Sequence, residues 1–143
     1  MDDRFTPRPV ARWFTPAAFG SLLFMLLGCA VYGMHIYTDP MTLPLDQRAM
    51  FEAEPRWVTS LLGVAVVVGT AGAILLLLRR RIAAPLLLVS LIVAVVWAVG
   101  LFAAPRLRDL LDTSDIAAVI IALALSWTIY WFARHSRQRG WLH

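Results

Sequence analysis

The side chains whose type and position could do chemistry in this chain are few, and five of them fall in one band: Tyr32, His35, Trp57, Trp97 and Asp115. Tryptophan and tyrosine offer broad apolar rings with one polar tip, the kind of surface that stacks on a sugar face or holds an apolar solute. His35 and Asp115 would add polar partners above those rings. Trp97, Tyr32, His35, Trp57 and Asp115 are therefore the candidate solute-binding set, read as a shallow outward-facing pocket. The plainer reading has Trp97 packed on lipid or a neighbouring helix and His35 reaching toward the headgroups.

Reactive constellations do not accompany these residues. The chain has no Ser-His-Asp set, no HExxH, no phosphate loop and no clustered metal ligands. Haem would want histidines facing one another across a bundle, but His135 and His143 belong to the carboxyl tail. The expectation is a protein that is not an enzyme and takes no cofactor or metal. Ion-coupled transporters, proton relays and voltage sensors keep an ionisable side chain inside the membrane, and His35, within a turn of a boundary, is the nearest approach to one. A small multidrug exporter would carry an acidic residue in its first span, which is absent here. Cys29 is the one cysteine, so no intramolecular disulfide or CxxC pair can form. Leu26-Leu27-Gly28-Cys29 fits a loose lipoprotein signal, but apolar residues continue past it through Met34, and Cys29 reads as a small packing residue.

Four apolar runs must position these side chains: Pro16 to Tyr37, Trp57 to Leu78, Ala83 to Ala104 and Ile116 to Ala133, each free of Asp, Glu, Lys and Arg. A helix of roughly 20 apolar residues crosses a hydrocarbon core of roughly 30 Å, and in lipid only helices or closed barrels satisfy their backbone. The fold expected is all-α, an integral membrane four-helix bundle forming a single domain over residues 1–143. Hydrophobic residues make up 60% of the chain and charged ones 15%, with a mean hydropathy of +0.72, well outside the globular range. The tails and loops are too short to bury a soluble catalytic core. Trp97 lies seven residues inside the end of the third run, roughly 10 Å deep, and Tyr32 falls at nearly the same depth. In the loop 38–56, Asp39-Pro40 reads as a turn and residues 44–53 as a short amphipathic helix on the membrane surface. Leu45, Ala49, Met50 and Ala53 would share its apolar side, and Arg48 with Glu52, and Glu52 with Arg56, are spaced for pairing. Pro55 breaks that helix.

All thirteen basic residues are arginine. Arg4, Arg8, Arg12, Arg79, Arg80, Arg81, Arg134, Arg137 and Arg139 share one side if there are four crossings; Arg48, Arg56, Arg106 and Arg108 take the other with seven acidic residues. Nine against four places both termini in the cytoplasm. Arg79-Arg80-Arg81 is thus a topology signal, and the high pI of about 10.2 reports orientation and not nucleic-acid binding. Tyr37 and Trp57 at one boundary, and Trp13, Phe14, Tyr130 and Trp131 at the other, suit interfacial belts. Small residues recur at every fourth position as Ala65, Gly69 and Ala73; Ser90, Ala94 and Ala98; and Ala118, Ala122 and Ser126, with a looser set in Ser21, Cys29 and Gly33. Such stripes let helices approach closely, in one bundle or in a homodimer.

Pro55-Arg56-Trp57, the run Gly69 through Leu91 with Arg79-Arg80-Arg81 and Pro85, and the ending Tyr130-Trp131-Phe132-Ala133-Arg134 with Arg139-Gly140-Trp141-Leu142 carry a resemblance. The chain resembles a family of small, uncharacterised four-helix bacterial inner-membrane proteins, familiar from alphaproteobacterial genomes and often labelled "sugar transporter" without a demonstrated activity. The family usually has a Trp-Gly-Gly stretch in its second helix, where Val68-Gly69-Thr70 stands here. The resemblance implies a bacterial inner membrane and a transport hypothesis, and supplies no catalytic residues. Two functions stay open on the sequence. One is a non-catalytic packing or accessory subunit, partnered by the bilayer and by itself or a membrane complex; the other is an oligomeric carrier of a neutral solute such as a sugar.

Overall fold

Charge-free runs of this length can bury their backbone polarity only by coiling, and each long run is a helix. The computed structural model describes residues 9–143, so Arg4 and Arg8 of the orientation argument lie outside the described residues. The elements in chain order are α1 (Phe14–Tyr37), a 3-10 turn (Pro40–Thr42), α2 (Leu45–Ala53), α3 (Arg56–Leu77), α4 (Ala83–Ala103), α5 (Pro105–Arg108) and α6 (Thr113–Gln138). Among the described residues there is no strand, and α1, α3, α4 and α6 are each long and apolar enough to cross a membrane.

Helix ends follow from local chemistry. Helix α6 starts three residues before its apolar run because Asp112 and Asp115 form a capping box: the Asp112 carboxylate accepts from Thr113 N at 2.7 Å, and Asp115 accepts from Asp112 N at 3.1 Å. It also continues five residues past the run and ends in a Schellman turn at Gly140, whose φ of 72° is left-handed; Trp141 N donates to Ser136 O and Gly140 N to Arg137 O. The same turn closes α3 with Arg79 at φ 57°, where Arg80 N donates to Leu75 O and Arg79 N to Leu76 O. Pro44 precedes α2, and the extended Glu54-Pro55 pair stops it. Arg48 Nε meets Glu52 Oε1 at 2.8 Å; Arg56 makes no ion pair among the described residues, because Pro55 interrupts the helical register that would align it with Glu52. The four-residue α5, begun by Pro105, has no counterpart in the hydropathy pattern.

The helices pack in the order α1, α3, α4, α6, with the antiparallel α3–α4 hairpin most extensive and tightly joined. Ser90 Oγ donates to Ala65 O across that hairpin at 2.7 Å, fully buried. Rings of one helix lie on glycines of the next: a Cβ on Gly63 would collide with the Tyr32 hydroxyl, and one on Gly100 would stand 2.8 Å from the Trp57 ring. Ala65, Gly69, Ala73, Ser90 and Ala98 are buried, so the stripes of α3 and α4 serve this hairpin. The stripe of α6 does not: Ala118 is exposed and Ala122 and Ser126 half-buried. Helix α6 is buried instead at Val119 near the loop and at Ile129, Phe132, Ala133 and Ser136 near its carboxyl end.

One apolar core sits at the end of the bundle that carries the start of α1 and the carboxyl-terminal residues, called here the terminal end. There Phe14, Leu76, Leu87, Phe132, Trp141 and Leu142 pack together, and the tail is pinned by His143 N donating to Arg79 O at 2.7 Å. Phe14, expected in an interfacial belt, is only 1% exposed, because Trp141 and Phe132 cover it and the Arg79 guanidinium lies 5.6 Å above its ring. Trp13, Trp131 and Trp57 are exposed, Tyr130 is half-buried, and Tyr37 is 91% exposed. A smaller core of Val58, Ala98, Leu101, Leu107 and Val119 lies at the opposite end, called here the loop end.

Candidate functional site

Because α1 packs on α3 and α6 on α4, the outer faces of α1 and α6 are left with no helix between them over much of their length. The space forms one cleft with two parts. The lower part, about 600 Å³, is lined by residues such as Leu27 and Val31 of α1, Val66 of α3, Ala94 of α4 and Ala122 and Leu125 of α6. The upper part, about 480 Å³, opens at the loop end beneath α2. Val31, Leu62, Trp97, Ala118 and Val119 border both, which makes them one continuous groove. Spacings of three and four bring these residues to one face of each helix. Leu27 is 63% and Ile121 59% exposed although both line the groove, so it is open sideways.

Helix α2 roofs the mouth. Gln47, Met50, Phe51 and Glu54, spaced i, i+3, i+4, i+7, face the groove. Of the apolar side read from the sequence, Met50 joins that face and Ala53 packs on the loop-end core, while Leu45 remains exposed. The roof is tied down by polar contacts. His35 Nε2 lies 3.1 Å from Glu54 Oε2, Thr59 Oγ1 donates to Glu54 Oε1 at 3.1 Å, and the His35 ring rests on Phe51 with centroids 4.4 Å apart. Both Glu54 oxygens are thereby engaged, and the carboxylate joins the end of α1 to the start of α3.

The structure brings together three of the five candidate residues: Trp97, His35 and Asp115 all line the mouth. Tyr32 and Trp57 border neither part of the groove, because each ring is seated on a glycine of the adjacent helix. Glu54, Thr59 and Phe51 escaped the sequence reading. The i, i+3, i+4, i+7 spacing from Gln47 to Glu54 was a usable signal for the face of α2; the pairing of Glu54 with His35 joins distant segments and leaves no local pattern.

Chemically the groove is graded. Among the described residues its titratable lining is His35, Glu54 and Asp115 at the mouth, with no arginine. Midway, Trp97 Nε1 is buried without a hydrogen-bond partner. Below it the hydroxyls are already used, Ser90 on Ala65 O and Ser126 on Ala122 O. Cys29 lies outside the groove and faces α3, with Sγ 3.2 Å from Thr70 Oγ1. Among the described residues no three His, Cys, Asp or Glu side chains gather to hold a metal ion. Compared with known protein families, with curated proteins and with solved structures, the chain matches none.

Proposed function

We propose that this chain is a multi-pass protein of a bacterial inner membrane, with both termini in the cytoplasm, that works without catalysis as a packing or accessory subunit. The observation that carries this reading is the graded groove: below His35 it holds no ionisable side chain, and its hydroxyls are spent on backbone carbonyls. A groove of that kind holds something apolar in place; it offers no positioned nucleophile or base. The ring cluster of Phe14, Phe132 and Trp141 across the terminal end supports the same reading, since it obstructs a path along the bundle. The orientation rests on the partition of arginines, and the resemblance to the small four-helix inner-membrane family belongs to this proposal.

The second reading is an oligomeric carrier of a neutral solute such as a sugar, favoured by the Trp97 ring on the wall of the groove. A sugar wants several convergent polar partners, and the hydroxyls of the lower groove are already bonded to backbone carbonyls, which places this reading second. Thermal stability of the detergent-purified protein across neutral sugars and small lipophiles separates the two. A ligand at 100 times its dissociation constant stabilises by about 2.7 kcal/mol. A flat sugar panel with a response to lipophiles is expected; a sugar-specific shift in a dimer reverses the order of the readings.

A further inference from the structure

The charge of this molecule is divided between its ends. Among the described residues, all seven acidic side chains, from Asp39 to Asp115, belong to the loop end, while Arg12, the run Arg79 to Arg81, Arg134, Arg137 and Arg139 gather at the terminal end. No ion pair engages any of these arginines among the described residues. Two are occupied otherwise: the Arg79 guanidinium lies over the Phe14 ring, and Arg81 Nε donates to Leu142 O at 3.3 Å. Arg134 has no such partner among those residues and borders a recess of about 260 Å³, lined with it by Trp131, His135 and Gln138. The spacing i, i+3, i+4, i+7 puts the four on one face of α6, away from the buried Phe132, Ala133 and Ser136.

Depth says what that face meets. The apolar run Ile116 to Ala133 spans about 27 Å at 1.5 Å per residue, nearly the roughly 30 Å of a hydrocarbon core. Arg134 is therefore the first charge past the boundary, and Gln138 lies about 6 Å beyond it, the thickness of one headgroup layer. Two indoles hold the imidazole between them: His135 stacks on Trp131 with centroids 5.4 Å apart and planes at 13°, and meets Trp141 edge-on at 6.3 Å. The Schellman turn at Gly140 puts Trp141 there, so the folded tail fixes one side of that ring. The side chains of Arg134, His135 and Gln138 enter no hydrogen bond among the described residues, so guanidinium, imidazole and amide all keep donors for a ligand.

We propose that this recess seats the phosphate of an anionic glycerophospholipid from the leaflet at the terminal end. Arg134 grips the phosphate through its planar fork of N–H groups, and the Gln138 amide and a His135 N–H add further donors. Trp131, 57% exposed and one turn nearer the hydrocarbon, lies against the glycerol and the first methylenes. A zwitterionic head brings the same phosphate with an ammonium that meets no acidic side chain among the described residues at this end, only more arginine. The site rests on the membrane placement of the helices and is the same for an accessory subunit or a carrier.

The test uses the full-length protein, delipidated in detergent, with phosphatidylglycerol and phosphatidylcholine of equal chains as probes, the affinity of the first lipid bound being read by native mass spectrometry. Phosphatidylglycerol should bind about tenfold tighter, and Arg134→Gln should remove most of that preference. Gln138→Ala should weaken phosphatidylglycerol binding about threefold. Both side chains are exposed, so both variants should melt at the wild-type temperature without lipid. Arg106→Gln removes the same charge at the loop end and should leave the preference intact. Equal affinity of the wild type for the two lipids, an unchanged preference in Arg134→Gln, or an equal loss in Arg106→Gln would each overturn the site. Displacement of the lipid by inorganic phosphate at equal concentration would do so too, giving the recess to a soluble anion. A sugar-specific stability shift would reverse the reading of function and leave these ratios unchanged.

Discussion

At the terminal end, Trp13, Phe14, Phe132 and Trp141 interlock with ring centroids 5.4 to 6.0 Å apart, and α1 touches α6 through them. At the loop end the same two helices stand on either side of a cavity of about 480 Å³. The helices are continuous from one end to the other, so the difference lies in what bridges them. The terminal end is bridged by large rings and by a tail that the Schellman turn at Gly140 folds back, which places Trp141 and Leu142 in the core. The loop end is bridged by α2, whose hold on the bundle is a few polar contacts and the face of one short helix. Dense ring packing resists opening, whereas a short element held by exchangeable polar contacts opens at low cost. One end therefore acts as a clamp and the other as a hinged roof.

The strongest way to break that contrast is to remove the clamp. Phe132→Ala should cost about 3 kcal/mol, the low end for a buried Phe→Ala change, since lipid supplies less drive for burial than water does. Chemical denaturation in detergent measures the loss, and spin labels on α1 and α6 near the terminal end should move apart. A loss below about 1 kcal/mol would mean that lipid holds this end together and the rings merely fill it.

A smaller effect sharpens the comparison within the span. Gly69 and Ala122 each belong to a stripe of small residues at every fourth position, but a Cβ on Gly69 would stand 2.7 Å from both Met25 Sδ and Ser90 Oγ, whereas Ala122 faces the groove. Gly69→Val should cost about 2 kcal/mol by overpacking three helices at once, and Ala122→Val should lie within about 0.5 kcal/mol of wild type. Equal costs would show that α6 closes on the bundle in the membrane and that the groove is filled by protein.

That pair also marks where the sequence is legible and where it stops. Charge-free runs declare helices because the backbone has no other solution in lipid, and the Arg48–Glu52 pair follows from spacing within one turn. Ala118, Ala122 and Ser126 look like the other stripes, yet α6 makes its buried contacts at Val119, Ile129, Phe132, Ala133 and Ser136, a choice that the stripe itself does not carry. Tyr32 and Trp57 share a depth with the groove but are turned aside by the glycines beneath them, a rotation that a depth estimate does not carry. Phe14 reads as an interfacial ring until the tail folds over it. Local periodicity is written residue by residue, and these departures all depend on a second segment.

The smallest effect concerns the roof. Glu54→Ala removes the acceptor shared by His35 and Thr59, and the loss should be about 1 kcal/mol, the net worth of such contacts and not their sum, because His35 is 29% exposed and water can replace the carboxylate. Global stability alone would not distinguish this from any other surface change. The discriminating readout is amide hydrogen exchange in α2: residues 45–53 should exchange several-fold faster while the α3–α4 hairpin is unchanged. Glu54→Gln keeps an acceptor for Thr59 and should recover part of the protection. If α2 exchanges at the wild-type rate in both variants, the roof is held by Met50 and Phe51 against the groove walls, and the loop end is closer in kind to the clamp at the other end than its polar contacts suggest.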